Sequence, residues 1–313
     1  MRYVPPKFTD LKDMAAIDAA RLTEDEARTI LENIRWPNGP VCPHCGSQDA
    51  TRIEAKSLTV RDGLLQCNGC RQQFTVTVGT VMHRSHITLR QWVQAFHSMC
   101  SHKKGVSALQ LQRNLGLKSY KSAWHLAHRV RFAMRILPLK ASLKGTVEVD
   151  ETYIGGKSRL GKRGRGSERK TPVVALVERG GKMRTKVVER VSAKALKGAI
   201  RENVKKSAAI MTDEFSSYRG LGREFKGGHE TVNHGDREYV RGNVHVNTAE
   251  SFFALFKRGV HGTFHHVSKG HLHRYADEFA FRWDHRKVTD GERTVAAIRQ
   301  AEGKRLLYRE RVE

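Results

Sequence analysis

Three carboxylates stand in settings that could bring them together. Asp150 lies in Gly145-Thr-Val-Glu-Val-Asp-Glu-Thr-Tyr-Ile-Gly-Gly156, where Val147 and Val149 alternate with Glu148 and Asp150. That is the period of a strand, stopped by a glycine pair, so Asp150 is expected at or near a strand end on the face opposite Val149. Asp213 closes the apolar run Ala208-Ala-Ile-Met211, and Glu250 lies in Asn247-Thr-Ala-Glu-Ser-Phe-Phe-Ala-Leu-Phe-Lys-Arg258, which reads as a helix. Carboxylates carried by two strands and a helix can converge on divalent metal, the chemistry that phosphoryl transfer needs. A second role is open for Glu250: Asn247 at an N-cap with a glutamate three residues on is also a capping box. Glu151 and Glu214, each next to one of the aspartates, are expected to point away as supporting residues.

A second constellation is made of thiols. Four of the five cysteines form two pairs, Cys42-Pro-His-Cys45 and Cys67-Asn-Gly-Cys70, with 21 residues between them. Two Cys-x-x-Cys knuckles joined by short strands supply the four thiolates that zinc takes tetrahedrally, the pattern of a zinc ribbon. Thr51–Glu54, Leu64–Gln66 and Gln72–Val78 are the expected strands, with Arg61–Gly63 as a turn. His44 reads as a bystander and Cys100 as a packing residue.

The remaining elements position these groups. Thr23 with Glu26 forms a capping box for a helix whose apolar face is Ala27, Ile30, Leu31 and Ile34, ended by the breakers at 36–40. Residues 86–138 read as helices capped by Thr88, Ser107 and Ser119 and broken at Gly116, a helix-turn-helix-like pattern. On its last helix Lys121, His125, Arg129, Arg131 and Arg135 are available to face phosphate. Strands are expected at 171–178, 186–191, 208–213 and 230–233, with helices at 193–206, 248–258 and 271–286. Domain boundaries follow: 1–85 for the first helix and ribbon, 86–140 for the helical DNA-binding region, 141–313 for one α/β domain.

Lysine and arginine total 57 against 32 acids, a formal charge of +25. Such a balance favours a polyanionic partner, of which double-stranded DNA is one, with a ribosome-associated or merely basic protein as the alternative reading. The loop Lys157–Lys170 carries seven basic residues interleaved with glycine, among them Lys162, Arg163 and Arg165, and is expected to bind DNA with little sequence preference. No signal-peptide pattern and no run of eighteen apolar residues is present, so no membrane span is expected; with the paired cysteines this points to a cytoplasmic protein, and a DNA-binding role would make it nucleoid-associated.

Three strands, a helix, another strand and an acid-bearing helix is the element order of a ribonuclease H-like core. Taken with the four cysteines, Val147-Glu-Val-Asp-Glu-Thr-Tyr-Ile-Gly-Gly156, Thr212-Asp-Glu-Phe-Ser-Ser-Tyr218, Asn247–Gly259 and Gly262-Thr-Phe-His-His-Val-Ser268, the chain resembles the prokaryotic DDE insertion-sequence transposases of the ISXO2-like type, which carry a zinc ribbon before the catalytic domain. The match runs from about residue 25 to 287.

The resemblance implies a mixed-sheet α/β fold and a structural Zn²⁺ on Cys42, Cys45, Cys67 and Cys70. Asp150, Asp213 and Glu250 would be the acids holding catalytic Mg²⁺ or Mn²⁺, and Lys257 the basic residue two helical turns after Glu250, on the same face. Asn247 stays an alternative to Glu250, because some relatives carry asparagine among these positions. The implied function is binding of terminal inverted repeats as a dimer or higher oligomer, with metal-dependent strand cleavage and strand transfer. Two other readings remain: a DNA-binding regulator with an inert core, and a nuclease that cuts without joining.

Overall fold

The computed structural model describes residues 11–54, 62–136, 142–156 and 170–308. The chain forms two compact units, Met1–Met134 with Lys287–Glu313, and Arg135–Arg286.

The first unit opens with helices α1 (Ala16–Arg21) and α2 (Glu24–Arg35). Thr23 and Glu26 form the expected capping box, and Ala27, Ile30, Leu31 and Ile34 are the buried face. A three-stranded antiparallel sheet follows: β1 (Ala50–Arg52), β2 (Leu65–Cys67) and β3 (Gln73–Phe74). β3 is much shorter than the expected 72–78, because the chain turns after Phe74 and the Val78 amide bonds back to the Thr75 carbonyl. Helices α3 (Leu89–Ser101), α4 (Ala108–Asn114) and α5 (Tyr120–Met134) complete the segment. Thr88 and Ser107 cap α3 and α4, and Gly116, at φ 63°, takes the left-handed turn that separates α4 from α5.

The second unit is a five-stranded mixed sheet flanked by helices. Its elements are β4 (Thr146–Ile154), β5 (Thr171–Glu178), β6 (Met183–Val187), α6 (Ala193–Asn203), β7 (Ala209–Asp213), β8 (His229–Val232), α7 (Asn247–Gly259) and α8 (Leu272–Asp284). The sheet order is β6-β5-β4-β7-β8. β5 runs antiparallel to both of its neighbours, β4 and β6, while β7 and β8 run parallel to β4. This is the ribonuclease H-like arrangement, with alternate side chains feeding two cores. Val147, Val149, Val174 and Leu176 pack with Leu196, Ala199 and Ile200 of α6. Val173, Ala175 and Val177 pack on the other face with Ala249, Phe252 and Phe256 of α7 and with α8.

β6 begins at Met183, three residues before the expected start. The turn at Gly180-Gly181 is tight, with the Glu178 amide bonded to the Lys182 carbonyl, so pairing resumes at once. β4 continues through Asp150 to Ile154, where the glycine pair was expected to stop it, and is paired with β5 from Val147 onward.

A final helix, α9 (Asp290–Arg299), was not expected, and it belongs to the first unit. The division therefore differs from the expected 1–85, 86–140 and 141–313: the ribbon and α3–α5 share one unit, and the chain returns to it after Arg286. α9 packs on the short helix Leu11–Asp13 so closely that a Cβ at Gly291 would overlap the carbonyls of Leu11 and Lys12. Gly291→Ala is expected to destabilise this unit by about 1–3 kcal/mol through backbone overlap, read as a lowered denaturation midpoint with the Arg135–Arg286 unit unchanged.

Candidate active site

Asp150 and Asp213 are brought together by strand register. β4 and β7 pair in parallel as Thr146↔Ala209, Val147↔Ile210 and Glu148↔Met211. Continued by two residues, that register aligns Asp150 with Asp213. The paired segment ends before reaching them, so Asp150 stands mid-strand against β5 but just beyond the pairing with β7. The expected position was at or near a strand end; Asp150 is instead mid-strand, four residues before the end of β4. Both aspartates lie on the α7 face: Asp150 pairs with Ala175, whose side chain joins the α7 core.

Asp150 is partly buried and accepts a hydrogen bond from the Glu151 amide at 2.7 Å. Burial, then the charges of Glu151, Asp213 and Glu250, push its carboxyl up to about 7. Glu151 points to the opposite face, where the buried Tyr218 donates to it at 2.8 Å. The Phe215 amide bonds the Asp213 carboxylate at 3.2 Å. Glu214 accepts from the His234 amide at 3.0 Å.

Glu250 is exposed in the first turn of α7, where an acid is favoured by the helix dipole. It does not form the capping box that Asn247 suggested. Asn247 is the first helical residue, the N-cap is Val246, and no side chain of the N-cap bonds the helix. The capping carboxylate comes instead from β4. Glu148, with no exposed surface, accepts from the Thr248 amide (2.8 Å), the Ala249 amide (3.2 Å) and the Thr248 hydroxyl (2.8 Å). Arg179 donates to it from Nε at 2.7 Å, and His245 Nδ1 stands 3.3 Å away. Sequence reading passed over Glu148, Arg179 and Thr248. The available signal was a carboxylate on the inward face of a strand, which must find donors to be buried. Lys257 is exposed in the last turn of α7.

The four paired cysteines form one cluster whose sulfurs lie within 4.8 Å of one another, the one such group of metal-ligating side chains among the described residues. Cys42 and Cys70 sulfurs are 3.7 Å apart, Cys45 and Cys67 3.5 Å. Four sulfurs each about 2.3 Å from zinc would be separated by close to those distances. The Cys70 amide donates to Cys67 Sγ, and that bond first among the causes holds the Cys67 thiol down at about 6.

Residues 142–284 match the ISXO2-like transposase domain, and residues 22–73 match the transposase zinc-ribbon domain. An uncharacterized protein in transposable element ISH50 of Halobacterium salinarum is 32% identical over 277 residues, covering 83% of this chain and 91% of that protein. The chain belongs to the ISXO2-like transposase family. The two matched domains of this transposase contain the acid-bearing sheet and helix on one side and the cysteine cluster on the other. No described helix is long and apolar enough to cross a membrane.

The transposase's expected DNA-facing residues divide. Lys121 is exposed near the start of α5. Arg129 is not available: it is buried, its guanidinium lies 5.2 Å from the Trp92 ring centroid, and it bonds the His83 carbonyl. Burial, then Arg305, lowers its pKa to about 10. Arg131 is buried as well. The reason is packing: α5 is enclosed by α3, α4 and α9, so most of its basic positions do not face solvent. Lys162, Arg163 and Arg165 lie outside the described residues.

The cysteine geometry predicts one Zn²⁺ per chain, measurable by metal analysis of reduced protein. Cys67→Ser should lose the metal and unfold the ribbon, since such sites fold with their ion, while the Arg135–Arg286 unit keeps its own cooperative transition. Zinc-free protein with a fully ordered ribbon would contradict this.

Proposed function

We propose that this protein catalyses metal-dependent cleavage of insertion-sequence ends and transfer of the freed 3′ ends into target DNA. The observation that carries the reading is the register that aligns Asp150 with Asp213 on the face where α7 presents Glu250. Oxygen-only donors suit a hard divalent cation. The charges of Asp213 and Glu250 already oppose ionisation of Asp150, a repulsion that a cation would relieve. Asp150, Asp213 and Glu250 would hold Mg²⁺ or Mn²⁺, which supplies Lewis-acid charge at the scissile phosphate and eases deprotonation of the attacking hydroxyl. The chain's own task is alignment and charge neutralisation. Lys257, on the exposed side of α7, would contact a phosphate oxygen and steady the strand.

DNA is held elsewhere too in this reading. The ribbon and the α4–α5 pair, through Lys121, would bind the terminal repeats. Lys162, Arg163 and Arg165 would add a sequence-independent grip, and binding of two ends calls for a dimer or larger assembly. A prokaryotic cytoplasm, at the nucleoid, is the corresponding location.

Asp150→Asn, Asp213→Asn and Glu250→Gln should each reduce cleavage and joining of end-bearing DNA to background while leaving DNA binding near parental and lowering no thermal midpoint. Because Glu250 caps nothing, an active Glu250→Gln protein would remove it from the metal site and turn attention to Asn247. Lys257→Ala should retain activity reduced about ten- to a hundredfold, the worth of a charge-assisted contact. Cleavage without joining of the same ends would favour the nuclease reading.

A pH dependence follows from the raised Asp150 carboxyl. Its ordinary pKa lies near 4, so between about pH 4 and 7 the metal-free folded state keeps a proton that the unfolded chain has lost. Folded stability therefore falls as pH rises through that window, and a bound cation restores it by taking the proton's place. The rise in melting temperature produced by Mg²⁺ should be larger at pH 8 than at pH 6 and absent in Asp150→Asn. An equal rise at both pH values would count against Asp150 as a ligand.

A further inference from the structure

Glu148 stands two residues before Asp150 on the same face of β4. Three of its four hydrogen bonds come from the first turn of α7, and the fourth from Arg179. Arg179 uses its other two nitrogens on the carbonyls of Asn243 (2.6 Å) and His245 (2.9 Å), in the segment that leads into α7. One buried carboxylate thus ties together the strand that carries Asp150, the start of the helix that carries Glu250, and the approach to that helix. α7 has no cap of its own to fix where it begins.

We propose that Glu148 is a positioning residue for the metal site: it sets where α7 starts, and so where the Glu250 carboxylate stands relative to Asp150. The inference rests on the reading that these acids hold divalent metal. Its force is geometric. A helix start displaced by one residue turns Glu250 by about 100° around the axis, and Mg²⁺ tolerates little departure from octahedral geometry. A purely stabilising contact in this place would be served as well by apolar packing, since a buried ion pair recovers little beyond its desolvation cost. What the charged, four-donor arrangement adds is register.

The test uses the full-length protein and Mn²⁺ alone, titrated by electron paramagnetic resonance without DNA, at a temperature where every variant is folded. Asp150→Asn defines which binding belongs to the acids. Glu148→Gln keeps the shape but turns a donor toward Arg179 or α7, and should weaken the Asp150-dependent affinity roughly ten- to a hundredfold, the usual effect of losing a partner behind the ligands. Thr248→Val removes one donor only and should weaken it several-fold, while Thr248→Ser, which restores the hydroxyl, should bind as the parent does. The melting temperature is read alongside. If Glu148→Gln does not fold, the Thr248 pair decides. Parental Mn²⁺ affinity in folded Glu148→Gln or in Thr248→Val, whatever their melting temperatures, would overturn the positioning role and leave the metal reading intact. Parent protein with no Asp150-dependent Mn²⁺ binding would overturn both.

Discussion

A carboxylate buried without exposure on the central strand constrains the whole Arg135–Arg286 unit. Taking the Glu148 charge out of water costs several kcal/mol after relaxation, and only a full set of donors offsets that. The set is available in one arrangement: α7 must begin at Asn247 so that the Thr248 and Ala249 amides point at β4, and Arg179 must leave the β5–β6 turn toward the same spot. The two amides are among those a helix start leaves without intrahelical partners, so one interaction satisfies the strand's charge and the helix's orphan donors together. The aromatic run Phe252, Phe253 and Phe256 then falls on Val173, Ala175 and Val177, while Glu250 is left facing outward from the first turn.

The second constraint is where strand pairing stops. β4 keeps its antiparallel partner to Ile154, but its parallel partner β7 is paired only as far as Glu148↔Met211. Beyond that point the two strands carry Asp150 and Asp213 side by side without a ladder between them. This is the crevice at the carboxyl ends of parallel strands where α/β sheets place their ligands. Pairing that leaves off at the acids sets Asp150 close to other carboxylates, and burial first, then the charges of Glu151, Asp213 and Glu250, raise its carboxyl.

What the sequence made legible was local. The four cysteines were readable because two knuckles need only short-range spacing, and their sulfurs do cluster. Strand and helix periodicity located the elements that carry Asp150, Asp213 and Glu250, while the mixed sheet came only with the family resemblance. The misreadings around the acids depended on partners distant in the chain. The Asn247–Glu250 capping box fits the sequence, but Glu148, about a hundred residues earlier, occupies the position that the cap would have taken. Asp150 looked terminal because Gly155-Gly156 is near, whereas pairing with β5 runs past it. α9 offered a clear start in Thr289 and Glu292, yet nothing local says that it belongs with Leu11–Asp13.

Charge shows the same limit from another side. A formal balance of +25 suggests a basic surface, but several arginines are consumed in the interior. Arg129 lies on Trp92, Arg184 meets Asp284, Arg282 meets Glu278, and Arg293 reaches the Cys100 carbonyl and Asp290. Guanidinium groups suit such places because a planar fork can satisfy carbonyls and carboxylates while its stem packs with apolar neighbours. Basic residues on α5 are therefore divided by helix face: Lys121, near its exposed start, is free of the packing that encloses Arg129 and Arg131. The part of the charge that can release counterions from DNA is the exposed part, so the electrostatic footprint of this transposase follows from packing as much as from composition.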